Sequence, residues 1–149
     1  MYRLLLSVLI PLLSGCASPI ASNLDGKCYE LVSDQQLWKT YDNGYVGAYM
    51  IAGNEKFQLT DERAPTELVQ KGSRVVVSQV LTGFDGSWGE FLRIQIKVLD
   101  GEAKGVIADI PACVPYHPRP PWLIKGCKSE AGDLKVKSEF LKEVKECYQ

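Results

Sequence analysis

The chain has 149 residues, 46% hydrophobic and 23% charged, with 17 Lys+Arg against 18 Asp+Glu, one His and five Cys. That is one domain's worth of polypeptide, and its apolar fraction is too close to the globular average for disorder. The balanced charge, with no block of like sign, gives no reason to expect nucleic acid or a polybasic membrane patch as partner.

Arg3 opens the chain with a positive charge, and Leu4 to Leu13 is an apolar run broken only by Ser7 and Pro11. Ten residues at helical rise cover about 15 Å, half a bilayer core, which suits the h-region of a signal peptide and not a membrane span. Leu13-Ser14-Gly15-Cys16 follows directly. This stretch resembles the lipobox of bacterial lipoproteins. The resemblance implies cleavage before Cys16, acylation of its thiol (palmitate among the chains), and Ala17 as a residue of the outer-membrane default. The expected organisation is a signal peptide at 1–15, the lipidated Cys16 with a tether over 16–26, and attachment to the outer membrane, facing the periplasm. Several acyl chains make such an anchor effectively stable. Within the tether, Pro19, Ser22 and Asn23 oppose regular structure.

Without residues 1–15, four cysteines remain in a body of 134 residues: Cys28, Cys113, Cys127 and Cys147. An even number in an oxidising compartment reads as two disulfides. Three connectivities exist, of which Cys28 with Cys113 and Cys127 with Cys147 is the favoured one. No pair has zinc-finger spacing and the lone His117 cannot complete a cluster, so no metal or other cofactor is expected.

From Lys27 to Ile110 the apolar period is mostly two. Cys28 to Val32 and Gly44 to Ile51 read as strands, Phe57 to Leu59 as a shorter one, and Ser33 to Tyr41 is ambiguous between helix and strand. Lys71-Gly72 is a turn. Arg74 to Leu81 and Leu92 to Val98 are the clearest strands, joined through Asp85-Gly86. In the second, Arg93, Gln95 and Lys97 alternate with aliphatics and are expected to face water. Asp100-Gly101 ends it, and Lys104 to Ile110 supplies another strand. Five or six short antiparallel strands suit a small barrel or a two-sheet β-roll.

Lys71-Gly72-Ser73-Arg74-Val75-Val76-Val77, with the later turn from Gly101 to Gly105, resembles bacterial SH3-like domains over roughly residues 27–114. Lys27 to Leu31 and Ile96 to Ile110 are similar to a group of proteobacterial lipoproteins of about this length. The sequence departs from the peptidoglycan-binding pattern at Val106-Ile107-Ala108, where an aromatic would stand.

Residues 115–126 form a proline-rich segment, expected to be extended, with Tyr116, Arg119 and Trp122 along one edge. Over 127–149, Phe140, Leu141, Val144, Cys147 and Tyr148 have helical offsets, which predicts a short C-terminal helix starting at Ser138.

Chemistry-bearing patterns are sparse. His117 has no adjacent nucleophile pattern, no Cys-x-x-Cys occurs, Asp61-Glu62 sits in a polar stretch, and the glycines mark turns, not phosphate loops. No enzymatic activity is expected. Tyr45 and Tyr49, spaced by Gly47, share one strand face and form a candidate binding platform with Trp88, Tyr116, Arg119 and Trp122. The expectation is a lipid-anchored binding module for another envelope protein or peptide. The alternative is an immunity or inhibitor lipoprotein that neutralises a toxin or a cell-wall hydrolase.

Overall fold

The computed structural model describes residues 18–39, 49–52, 67–85, 89–112, 122–125 and 134–147. Eleven strands lie among them: β1 (Ser18–Ile20), β2 (Cys28–Leu31), β3 (Gln35–Lys39), β4 (Tyr49–Ala52), β5 (Glu67–Val69), β6 (Arg74–Asp85), β7 (Gly89–Val98), β8 (Ile107–Asp109), β9 (Leu123–Lys125), β10 (Lys135–Val136) and β11 (Leu141–Val144). Nine of these join one curled, mostly antiparallel half-barrel in the order β11-β2-β6-β7-β8-β4-β3-β5, with β1 also on β6. β9 and β10 pair separately. The mainly β class agrees with the sequence reading, although the sheet has more strands than the five or six expected.

The spine is the β6–β7 hairpin, paired from Val75↔Val98 to Asp85↔Gly89. Its register shifts between Val77↔Ile96 and Gln79↔Gln95, so Ser78 is an extra residue on β6. A bulge of this kind reverses which parity faces inward. Val75 and Val77 point to the core before it, and Val80 does so after it. Ser78 itself is exposed, and its hydroxyl donates to the Gln95 carbonyl at 3.1 Å. Leu92, Ile94, Ile96 and Val98 of β7 meet Leu31, Leu37, Ile51, Ala108 and Ile110 in the main core.

Turn chemistry follows the glycines. Gly72 has φ +86°, a left-handed conformation that side chains resist, and its N–H donates to the Leu31 carbonyl at 2.8 Å. That bond and the return bond from Leu31 N–H to the Ser73 carbonyl (2.9 Å) fasten the β5–β6 turn to the end of β2.

Four expectations are corrected. Residues 18–25 are not a free tether: Ser18–Ile20 pairs with Thr82–Val80, and Leu24 is buried in the main core. Pro19 is tolerated because β1 is a short outer strand, where a missing N–H does not break a ladder on both sides. No helix occurs among the described residues, and the expected C-terminal helix is replaced by a turn at Ser138–Phe140 followed by β11, which pairs Leu141↔Leu31 through Val144↔Cys28. The polar face of β7 does not lie in water: Arg93 and Gln95 are each 3% exposed, and only Lys97 of that series is exposed. Finally, Cys28 is paired with Cys147, not with Cys113, across a sequence separation of 119 and a Cα–Cα distance of 5.3 Å.

That last pairing follows from the strand change. Once β11 lies antiparallel on β2, Val144 is the register partner of Cys28, and the chain three residues on returns Cys147 to it. A Lys27–Glu143 ion pair at 3.2 Å lies along the same ladder.

Candidate functional site

Of the residues singled out in the sequence, Cys16, Tyr45, Trp88, Cys113, Tyr116, Arg119 and Cys127 lie outside the described residues. Cys28 and Cys147 form the disulfide. Tyr49 is half-buried and packs against the main core beside Ile51, so its ring serves the interior. Trp122 is buried too. Its ring stacks on Phe140 with centroids 4.9 Å apart and planes 3° from parallel, and the Trp122 backbone N–H donates to the Pro111 carbonyl at 2.7 Å. Of the six candidate platform residues, Tyr49 and Trp122 are thus the two described, and both pack inward.

Two other arrangements carry polar chemistry. The first is interior. Arg93 on β7 donates from Nε to Asp109 Oδ2 on β8 at 2.7 Å and from Nη2 to the same oxygen, with both side chains 3% exposed. The row Gln79, Gln95, Asp109, Met50, Trp38 follows successive register partners across β6, β7, β8, β4 and β3, so these side chains share the face turned away from the main core. Gln79 Nε2 donates to Gln95 Oε1 at 2.5 Å, and Trp38, Met50 and Ala52 form a second apolar cluster on that face. Burial pushes the Asp109 carboxyl above its usual range, and the Arg93 guanidinium lowers it only in part. Sealed at 3% exposure, the pair reads as an architectural clamp between β7 and β8.

The second is open to solvent. A cavity of about 160 Å³ lies where the β5–β6 turn meets the β7–β8 turn, lined by Leu68, Val69, Gln70, Ser73, Asp100, Gly101, Glu102 and Ala103. The two turns are fixed together by Arg74, whose N–H donates to Asp100 Oδ1 at 2.9 Å while its Nε donates to Asp100 Oδ2 at 3.1 Å. The Leu99 N–H donates to the Arg74 carbonyl at 2.8 Å. Asp100 is thus already compensated, whereas Glu102 is exposed and joins no ion pair among the described residues. Ser73 is 9% exposed. Its backbone is fully engaged, but its hydroxyl has no hydrogen-bond partner among the described residues. That oxygen faces Gly101, lying 3.8 Å from where a Cβ there would stand. Gly101 has φ +74°, so a side chain at this position is disfavoured and the rim stays open.

The expected hairpin of Arg74 to Leu81 with Leu92 to Val98 brings both turns to one end of the sheet, but the cavity between them was not legible, because the Asp100-to-Arg74 bonds that shape it leave no pattern in the sequence. Next to the cavity runs β5, whose only strand partner among the described residues is β3, and whose Leu68 is 42% exposed. Compared with protein-family models, with curated proteins and with solved structures, the chain matches none.

Proposed function

We propose that this protein is a lipid-anchored, non-catalytic envelope protein whose β-domain binds another envelope protein or peptide. The signal-like run ending in Leu13-Ser14-Gly15-Cys16 supports the anchor, and the Cys28–Cys147 disulfide fits an exported chain. The SH3-like resemblance of residues 27–114 belongs to the same proposal.

The observation that carries the binding reading is β5. Its outer edge has no strand partner among the described residues, and it presents Glu67 and Leu68 to solvent while Val69 anchors it in the core. An extended peptide adds to such an edge through main-chain hydrogen bonds and is selected by pockets beside it. In this reading the β5 edge takes the place of Tyr49 and Trp122, which pack inward.

The test is a photo-crosslinking residue placed at Leu68 and, as control, at exposed Ile124, in intact cells, with the products identified by mass spectrometry. A defined envelope protein captured from position 68 and absent from position 124 supports the reading. Identical products from both positions, or none, contradict it. Capture of a secreted toxin or a wall hydrolase would replace it with the inhibitor function.

A further inference from the structure

We infer that the cavity between the β5–β6 and β7–β8 turns is a receptor for the side chain of a lysine carried by the partner. This rests on the binding reading above and names what the partner presents. Size comes first: an apolar cavity of roughly 150 Å³ holds a benzene molecule, six carbons, so about 160 Å³ suits the four methylenes and ammonium of lysine. Chemistry follows the same order along the walls. Leu68, 42% exposed, supplies apolar surface for a methylene stem, backed by the buried Val69 and Ala103.

The polar groups suit a cation and nothing of the opposite sign. Glu102 brings an exposed carboxylate that joins no ion pair among the described residues, and Asp100 keeps acceptor capacity beyond its bonds to Arg74. Ser73 adds a hydroxyl from a side chain nine-tenths buried, with no hydrogen-bond partner among the described residues. That hydroxyl is open to the cavity, and its lone pairs can accept from an ammonium that enters it. An anion would meet two carboxylates. An uncharged alkane would leave the Ser73 hydroxyl and Glu102 unanswered. The position of the cavity also fits the source, because a peptide strand laid on β5 passes its mouth at Leu68, and alternate side chains of that strand point towards the same side.

The experiment is an NMR titration of the mature, disulfide-intact chain with the tripeptide acetyl-Gly-Lys-Gly-amide, its Nε-acetylated form and 1,5-diaminopentane. Amide shifts at Gln70, Ser73 and Gly101 to Ala103 are expected with the lysine peptide and lost with the acetylated one. Glu102→Gln should weaken the lysine peptide by roughly fivefold. Ser73→Ala should weaken it by a smaller factor, with the rest of the spectrum unchanged. Equal shifts from the acetylated peptide, or full affinity in Glu102→Gln, overturn the inference. Diaminopentane binding as tightly as the peptide would overturn a peptide source. A cavity silent towards lysine in a protein that still crosslinks through Leu68 refutes this inference alone. A lost crosslink with an intact lysine titration refutes the partner reading instead.

Discussion

Arg93 and Asp109 show how a residue pair defeats the reading of alternation. Arg93-Ile94-Gln95-Ile96-Lys97 has the pattern of a strand with one wet face, yet the Arg and Gln are covered because a carboxylate and an amide stand opposite them on neighbouring strands. The sequence shows Asp109 and Arg93 but not that the β7–β8 register places them together. Such a pair resists the loss of one member more than the loss of both. Asp109→Asn alone, which strands a buried guanidinium, should cost about 3–5 kcal/mol by urea denaturation. The double replacement Arg93→Met with Asp109→Leu should be near neutral or stabilising. A double replacement as damaging as the single one would contradict the clamp. Tyr29 makes a second prediction at this scale. Burial, with a smaller contribution from Glu143, pushes its phenol up to about 12 from an ordinary 10. The folded state therefore holds the proton more tightly than the unfolded chain. Its stabilising contribution is complete below pH 10 and is lost as pH rises towards 12. Tyr29→Phe should flatten that decline in a stability–pH profile.

At the scale of elements, the hairpin from Arg74 to Val98 was legible because β-branched runs and Asp85-Gly86 repeat one message at every level. The C-terminal strand was not. Phe140, Leu141 and Val144 have helical offsets, but over so short a window those offsets do not exclude a strand, and the open edge of β2 supplies hydrogen bonds that a helix here would forgo. Phe140 is instead the stacking partner of Trp122, and Leu141 enters the core. The bulge at Ser78 was equally hidden, since Val75-Val76-Val77 offers an apolar side chain to either face. If β11 is a strand held by the disulfide, removing the pair with Cys28→Ala and Cys147→Ala should destabilise the fold by about 2–5 kcal/mol, measured by thermal or urea unfolding. Amide exchange should then rise first in residues 141–144. Unchanged protection there would mean that the staple does not secure the strand.

For the whole molecule, the odd cysteine count suits the proposed anchor at Cys16 and a body stapled by Cys28–Cys147. A bond across 119 residues constrains the unfolded chain by about 4.7 kcal/mol or slightly more in the loop-entropy model, comparable with the lower range of stability for a domain of this size. The half-barrel that results leaves the β5 edge and the Ser73–Glu102 cavity on one side, while its other terminal strand is tied down. Non-reducing peptide mapping of protein extracted from cell membranes examines anchor and body together. The account predicts an N-terminal peptide beginning at a lipid-modified Cys16 and a cross-linked peptide joining Cys28 to Cys147. A chain that still begins at Met1, with free thiols at Cys28 and Cys147, would contradict it.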